Sequence, residues 1–567
     1  MRTTSATGLR PRLSLIISNL ILLCLMVSLS ACGGDVHIQQ QASSDQKNLD
    51  NALNYARSIG VSSSLLQPVV KQEQQLKQTS APLALFSNQP ISDYYNNLSQ
   101  RYAQLTVETR GVTSSYTQQT QQTAQNDVQT LQLTLTLRRS QQLPVQGFTQ
   151  ELSREQGALN KAQYPKDYLA ISTQAHSSVQ ALNLMPQIAS RLGTLNDTIG
   201  QMQNSHLDTW WLQTQYQSDQ QTMTTTVSGP AMQNLNTTIN AQYMQAVVQS
   251  TQAIPYVAKA NLSDFASQIQ QLKTYGVDPT PYQKKLDADS SLLQGSLSLS
   301  GYITFSQQVN TDVASIHSAL VQGQAHYLVN QFHQEVDSWG NAHLFHDSYD
   351  GQSYSLVAGY ADVGVGSDLD SALSSASSDD DYQSVITLAN NDLFNLHMLE
   401  ADYQDKTPFD QTHQTDIQAL QHYNLMQGQV IVVSLVNQAL RVYQDGKLVR
   451  GIQVTTGRAQ LPSLPGIWTV LDRLSPTVFK SPDPPGSPYY YPDTPINYAI
   501  EYHSGGYFIH DSWWRADYGP GTQFPHYDSG GDEQFANSGS HGCINMPTDQ
   551  AGWIYNNTSW STGIIVY

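Results

Sequence analysis

The sequence predicts a multidomain chain in which a largely α-helical N-terminal region is followed by an all-β domain. Two observations predict this fold class. Before residue 425, apolar residues recur at intervals of three and four, as they do on one face of a helix. From Gln429 onward, short runs rich in Val, Ile and Tyr alternate with Gly, Pro, Asn and Asp turns. That second pattern is typical of a β-sandwich or an open barrel.

Composition limits the classes of function that the chain can have. With 567 residues it has enough material for several domains, each with its own core. Its formal net charge of −18 opposes binding to nucleic acid, so no nucleic-acid partner is expected. The three cysteines, Cys24, Cys32 and Cys543, are too few for a disulfide framework.

The N-terminus has the pattern of an export signal. Arg2, Arg10 and Arg12 precede an apolar stretch over 13–29, and small residues then lead directly to Cys32. A positive start, an apolar stretch and small residues before a cleavage point are typical of a secretory signal. The segment Leu29-Ser30-Ala31-Cys32 resembles a bacterial lipoprotein lipobox.

This resemblance implies a lipoprotein signal peptide over 1–31, lipidation of Cys32 and a polar tether over 32–45. The protein would then lie outside the cytoplasm, anchored to the cell membrane through its lipid and facing the cell wall. The alternative is an uncleaved signal whose apolar stretch remains as a membrane helix.

The helical region contains a repeated pattern. Apolar residues at helical spacing end at Gly60, and a similar run ends at Gly276; each glycine is followed by a valine and a second helix start. We therefore predict a diverged duplication of a helical hairpin, with copy 1 over 46–256 and copy 2 over 257–425. The second copy includes a Ser/Asp-rich stretch, 367–381, that is predicted to be a linker.

The all-β domain is predicted over 426–567. Its predicted strands are 430–435, 439–443, 448–454, 467–471, 496–502, 507–509 and 563–567. A short helix is expected over 549–555. The Pro-rich segment 481–495 is expected to be a loop on the side of the active site.

The residues around Cys543 indicate a chemical role for this thiol. Structural cysteines usually lie among apolar residues, whereas Cys543 follows Ser540, His541 and Gly542. A strand-like run upstream ends at His510 and Asp511, and an imidazole oriented by a neighbouring group is what a cysteine nucleophile requires. The histidines and Cys543 lack the spacing of a metal site, so no metal is expected.

These residues carry a family resemblance. The pattern His510-Asp511 followed by Ser540-His541-Gly542-Cys543-Ile544-Asn545 resembles the signature of L,D-transpeptidases of the YkuD type. The resemblance implies that Cys543 is the nucleophile, that His510 is the general base and that Asp511 helps to orient it. It further implies that Ser540, His541 and Gly542 build the pocket. The expected substrate-binding residues are Tyr507, Trp513 and Asn545.

The spacing departs from that of compact family members and leaves a second candidate for the base. A Gly/Pro/Asp-rich insert, 519–531, separates His510 from the cysteine motif and contains His526. We favour His510, because it follows a strand-like run, whereas His526 follows Pro525 in a segment that is expected to be mobile.

The resemblance also implies a reaction. The cysteine would form a thioester with a peptidoglycan stem peptide and pass the acyl group to a neighbouring stem, giving a 3→3 cross-link. No cofactor is expected. An L,D-carboxypeptidase, in which water is the acceptor, remains an alternative, and so does a catalytically idle wall-binding lipoprotein.

Overall fold

The computed structural model describes residues 35–83 and 87–567. The predicted signal peptide and the lipidation site Cys32 lie outside the described residues. The part of the predicted tether that is described, 35–45, is helical, because Ala42 is buried and Gln41 bonds to Asp45 one turn later. Over the described residues, none of the helices combines the length and the apolarity that crossing a membrane requires.

Long helices dominate the described chain up to His422. The α-helices are α1 (Asp35–Ser58), α2 (Ser63–Lys77), α3 (Gln89–Ser140), α4 (Gln146–Leu159), α5 (Pro165–Asn204), α6 (Trp210–Thr225), α7 (Gly229–Gln249), α8 (Ile254–Thr274), α9 (Thr280–Ser291), α10 (Leu299–Ala342), α11 (Val365–Ser375), α12 (Asp379–Gln404), α13 (Gln414–His422) and α14 (Thr548–Asn557). A β-rich domain follows α13, so the predicted fold class is confirmed.

The chain divides into two compact units. The first contains the described residues up to Val128 together with Arg154–Ala175, and the second contains Gln129–Ser153 together with His176–Tyr567. The core of the first unit is apolar and joins α1, α2 and α3 through residues such as Leu49, Leu66 and Tyr102.

Both glycines of the repeated pattern end a helix as predicted. Gly60 has φ +99 and Gly276 has φ +75, a left-handed conformation that glycine adopts without steric cost. The N–H of the valine after each glycine bonds back to the helix, from Val61 to Ala56 and from Val277 to Leu272. Each is followed by a second helix and then by a long one. The duplication itself stays a prediction.

The expected linker over 367–381 is wrong. Helix α11 covers most of this stretch and buries Leu369, and α12 begins at Asp379. Ser378 caps α12, because its hydroxyl accepts from the Asp381 N–H while the Asp381 carboxylate accepts from the Ser378 N–H. The serines and aspartates that suggested a linker are therefore helix-start residues.

Two sheets form the body of the β-rich domain. Their strands are β3 (Gln429–Ser434), β4 (Ala439–Gln444), β5 (Lys447–Gln453), β6 (Gly466–Thr469), β7 (Asp472–Leu474), β10 (Ala499–His503), β11 (Tyr507–Asp511), β12 (Ile544–Met546) and β13 (Gly563–Val566). The first sheet has the strand order β5-β4-β3-β13-β6 and the second has the order β12-β11-β10-β7. Two hairpins complete the set, β1 (Leu344–His346) with β2 (Ser353–Ser355) and β8 (Thr477–Phe479) with β9 (Thr494–Ile496).

One predicted strand is divided in two. The sequence predicts a continuous strand over 496–502, but β9 ends at Ile496 and β10 begins at Ala499. Between them, the backbone N–H groups of Asn497 and Tyr498 turn toward the carboxylate of Asp511. The Asp511 carboxylate thus accepts the backbone hydrogen bonds that a neighbouring strand would otherwise accept.

The hydrophobic core of the second unit runs without interruption from helices to sheet. It includes Phe332 of α10 and Leu399 of α12, together with Ile431 of β3 and Ile565 of β13. The predicted boundary at residue 426 stays a prediction, since the sheet begins near it while the core continues into the helices before it.

A buried ion pair ties α13 to the first sheet. Asp416 of α13 accepts from both Nε and Nη2 of Arg441 on β4, and neither side chain is exposed. The hydroxyl groups of Tyr443 and Tyr567 also donate to this carboxylate. Because Arg441 is fully enclosed, its charge depends on Asp416 for compensation.

We therefore expect Asp416→Ala to destabilise the second unit by about 3–5 kcal/mol, because the substitution leaves a guanidinium buried without its counter-charge. The measurement is the midpoint of denaturant unfolding, followed by tryptophan fluorescence. Asp197→Ala, at an exposed position of α5, is the matched control and should change little. An Asp416→Ala midpoint equal to that of the control would contradict this account of Arg441.

Candidate active site

Parallel pairing of β11 with β12 builds the site. The register places Ile509 opposite Ile544 and His510 opposite Asn545. Cys543 directly precedes β12, so the pairing brings the cysteine beside the strand that carries His510. The loop before the cysteine is fixed by a bridge between Gly457 and Ser540.

Cys543 rests as a thiol. Its side chain is half-buried, and Sγ lies 3.7 Å from the carbonyl oxygen of Gly506. Burial raises the pKa of the Cys543 thiol to about 11, and the negative charge of Glu501 adds to this rise. A hydrogen bond from the backbone N–H of Phe508 acts in the opposite direction but is weaker.

His510 is buried and held at both ring nitrogens. Nδ1 lies 2.8 Å from the carbonyl oxygen of Asp511, which can only accept, so Nδ1 carries the proton. Nε2 lies 2.9 Å from Nδ2 of Asn545 and accepts from that amide. Burial lowers the pKa of His510 to about 4, so the ring is a neutral base at neutral pH. Over the part of the chain that the structure describes, no hydrogen bond joins this ring to Sγ.

Asp511 contacts the imidazole through its backbone rather than through its carboxylate. Its Oδ1 accepts from the N–H groups of Asn497 and Tyr498, and its Oδ2 accepts from the Asn497 amide. The predicted orientation of His510 is therefore provided by the Asp511 carbonyl oxygen, and the carboxylate holds the segment between β9 and β10.

His526 lies elsewhere in the insert. Its Nδ1 is 2.9 Å from the carbonyl oxygen of Phe524, and its backbone N–H donates to Asn537. The insert is packed rather than loose: Phe524 is buried, and its ring stacks on Phe345 at 4.7 Å. The insert therefore packs on the β1–β2 hairpin through an aromatic contact, and its expected mobility stays a prediction.

The turn before Cys543 depends on the side chain of Ser540 and on the absence of one at Gly542. Ser540 Oγ accepts from the Gly542 N–H and donates to the Cys543 carbonyl oxygen, which closes the turn. Gly542 has φ +102, and a Cβ there would lie 2.7 Å from the Tyr507 ring. A larger residue would therefore be strained and would also displace Tyr507.

His541 contacts a second group of side chains beside the cysteine turn. Nη2 of Arg458 lies 3.2 Å from its Nδ1, and the Tyr491 ring lies 5.3 Å from its own ring. Burial, followed by the nearby Arg458 charge, lowers the pKa of His541 to about 4. The neutral His541 ring thus connects the cysteine turn with the Pro-rich 481–495 loop through its contact with Tyr491.

The three residues predicted to bind substrate occupy different positions. Tyr507 is half-buried between Gly542 and His503. Trp513 is 58% exposed, and its Nε1 donates to the Pro495 carbonyl oxygen. Asn545 is buried and contacts the His510 ring, so its side chain does not face open solvent.

Arg515 is a further site residue that sequence reasoning missed. It is buried, its Nε donates to Asn545 Oδ1 at 3.2 Å, and its Nη1 donates to the Ala536 carbonyl oxygen. The sequence marks Arg515 only as a lone cation directly after Trp513 and Trp514. Nothing in that position indicates a contact with Asn545.

Two groups of side chains among the described residues have the proximity that a metal ion needs, and both lie outside this site. They are His333 with Asp362 and Asp370, and Asp402 with Asp405 and His413. In the second group, hydrogen bonds from His413, Thr415, Ser434 and Asn437 already satisfy the Asp402 carboxylate.

Comparisons with known proteins agree with the sequence motif. Residues 428–566 match the YkuD family model, the L,D-transpeptidase catalytic domain. None of the curated proteins matches the chain.

Three solved structures resemble part of the chain. An L,D-transpeptidase from Mycobacterium smegmatis is 27% identical over 24% of this chain and 58% of its own, with a TM-score of 0.20. The catalytic domain of the Enterococcus faecium L,D-transpeptidase is 27% identical over 25% of this chain and 98% of its own, with a TM-score of 0.20. L,D-transpeptidase 3 from Mycobacterium tuberculosis is 22% identical over 24% of this chain and 60% of its own, with a TM-score of 0.20.

The matched segment thus spans less than two thirds of either mycobacterial chain. The assignment rests on the family model, because TM-scores this low carry no weight. Together, the family model and the residues placed around Cys543 support a YkuD L,D-transpeptidase catalytic domain over residues 428–566.

Proposed function

We propose that the C-terminal domain transfers an acyl group through a thioester on Cys543. Sγ attacks the carbonyl carbon of an amide while His510 Nε2 takes the thiol proton. The tetrahedral intermediate then collapses, the C–N bond breaks, and His510 returns the proton to the departing amine. An acceptor amine attacks the thioester carbon, gives its proton to His510 and releases the cysteine as a thiol.

One observation carries this proposal. The bond from His510 Nδ1 to the Asp511 carbonyl oxygen leaves the lone pair on Nε2, the nitrogen that must accept a proton. Asn545 Nδ2 occupies that lone pair in the absence of substrate. For reaction, the thiol must replace Asn545 as the donor to Nε2, and catalytic hydrogen bonds commonly form only in the complex with substrate.

Cys543 and His510 are both neutral before the reaction. The pKa of Cys543 is about 11 and that of His510 is about 4, so proton transfer from thiol to imidazole is unfavourable in the resting site. Transfer is therefore coupled to attack on the carbonyl, where negative charge moves from sulfur to oxygen. The Gly542 N–H already donates to Ser540, which leaves the Cys543 N–H as the oxyanion donor from this turn.

The substrate class follows from the family resemblance. The donor is a peptidoglycan tetrapeptide stem, the bond broken lies between the diamino acid and D-alanine, and the product is a 3→3 cross-link. Water as the acceptor would make the same site an L,D-carboxypeptidase. Export and lipid anchoring through Cys32 stay predictions from the sequence.

The test is incubation of the full chain with purified tetrapeptide-containing muropeptides, followed by mass spectrometry. We expect dimers that have lost one D-alanine, and none with Cys543→Ala. Monomers that have lost D-alanine without dimers would assign a carboxypeptidase instead. Unchanged muropeptides with wild-type protein would contradict both activities and favour the idle wall-binding alternative.

A further prediction concerns the base. His510→Ala should slow acylation of Cys543 by a carbapenem about a hundredfold or more, because the thiol loses its proton acceptor. His526→Ala is the matched control and should acylate at the wild-type rate. Intact mass measures the adduct, since the thiol adds across the β-lactam amide and retains the whole molecule. The reverse ranking of the two variants would make His526 the base.

Arg515 controls the pKa of this base through Asn545. An arginine can only donate, so it fixes Oδ1 of Asn545 on its own side and turns Nδ2 toward His510. A donor at Nε2 and a nearby cation both oppose protonation of the ring, and the positive charge of Arg515 itself lowers the pKa of His510. Arg515 is therefore a positioning residue.

Replacing it should shift the pH dependence of acylation. In wild type, a base of pKa about 4 stays unprotonated down to that pH, so the rate falls only near pH 4. In Arg515→Met, the pKa of His510 rises and the fall moves to higher pH by about one unit. Arg515→Lys, which keeps the charge, should show little of this shift and resemble wild type. A lower rate with an unmoved acidic limb would show that Arg515 only supports the fold.

A further inference from the structure

A large polar cavity lies among the helices of the second unit, away from Cys543. Its volume is about 620 Å³, and its walls come from α3, α5, α7, α8, α10 and α12. Most of its lining side chains are carboxamides, hydroxyls or charged groups, and Tyr275 is the one aromatic residue that lines it. A site of this size holds a small molecule or a short peptide.

Two guanidinium groups face this cavity without a carboxylate partner. Arg138 is only 4% exposed, and its Nε and Nη2 donate to the Leu182 carbonyl oxygen and to Asn183. Arg191 is half-buried and donates to Asn236 and to Asn240. Among the ion pairs of the described residues, neither arginine appears, and the hydrogen bonds of both groups go to neutral oxygens. Burial lowers the pKa of Arg191, and the nearby charge of Asp264 opposes this only in part.

This arrangement is costly without an anion. Burial lowers the pKa of Arg138 to about 10, because the charged form has lost water and gained no counter-charge. The carboxylate that also lines the cavity, Asp264, accepts from Thr194 instead of pairing with either arginine. Two cations against one carboxylate leave the cavity positive, in a chain whose formal net charge is −18.

The neutral side chains that line the cavity indicate a second feature of its ligand. Gln233, Gln268 and Asn310 line the cavity, and each of these side chains has both an amide donor and a carbonyl acceptor. Such groups match the N–H and C=O groups of peptide bonds, while a planar guanidinium matches a carboxylate with two parallel hydrogen bonds. A phosphate would satisfy the arginines but would leave the carboxamides unused.

We propose that this cavity binds a short peptide with a free C-terminal carboxylate. The carboxylate lies between Arg138 and Arg191, and the peptide bonds contact the carboxamide side chains. The cavity is a second site, separate from the one at which Cys543 reacts. Only the choice of a D-alanine peptide as the probe rests on the proposed function.

The experiment is hydrogen–deuterium exchange of the full chain with N-acetyl-D-alanyl-D-alanine, its C-terminal amide or inorganic phosphate. We expect the free acid to protect α5, α7 and α8, and the amide and phosphate to leave them unchanged. Protection by phosphate but not by the peptide would overturn the proposal in favour of an inorganic-anion site. Absence of protection with all three probes would overturn it outright.

Two variants should change the affinity for the free-acid peptide in opposite directions, a result that misfolding cannot produce. Arg191→Gln should weaken binding of the free acid about tenfold or more, because a charge-assisted hydrogen bond is lost. Asp264→Asn should strengthen it, because the one carboxylate that repels the ligand is removed. Arg101→Gln, an equal change of charge at an exposed position of the first unit, is the control. Equal affinities in all four proteins would overturn the proposal.

Carbapenem labelling of Cys543, measured on the same samples, separates this inference from the proposed function. Labelling without protection of α5, α7 and α8 would refute the cavity alone. Protection without labelling would refute the acyl-transfer proposal and leave the cavity supported.

Discussion

The active-site geometry depends on one backbone constraint, the parallel pairing of β11 with β12. Two antiparallel strands can be joined by a tight turn, whereas two parallel strands need a long connection. Here residues 512–543 supply it, and they do so without a helix. The backbone groups of such a segment need partners from side chains, and Asp528 provides several, accepting from the N–H groups of Ala516 and Asp517. Arg515 belongs to the same connection, so the segment that makes the pairing feasible also carries a charge that lowers the pKa of His510.

Local pattern was sufficient to predict most of the fold. Apolar runs between turn residues predicted most strands of the β-rich domain, but not the short strands β7, β8 and β12. Both helix ends at Gly60 and Gly276 follow from glycine's access to positive φ. The stretch 367–381 was misread, because serine and aspartate favour both loops and helix starts. Only the burial of Leu369, a tertiary contact, decides between the two.

The candidate site was predictable in its residue types but not in its contacts. Cys543 and His510 could be named from the motif, yet the partner of each Asp511 oxygen could not, because Asn497 and Tyr498 meet it only after β10 and β11 pair. Arg515 was missed for the same reason. Arg515 acts on His510 through Asn545, which contacts both side chains. These contacts form only when the fold brings the three residues together.

The protonated resting state of Cys543 has a consequence for chemical durability. Peroxides oxidise thiolates rather than thiols, and they convert them through sulfenic acid to forms that cannot be reversed. A thiol with a pKa of about 11 offers almost no thiolate at neutral pH. The burial that keeps Cys543 protonated therefore also shields its sulfur from oxidants.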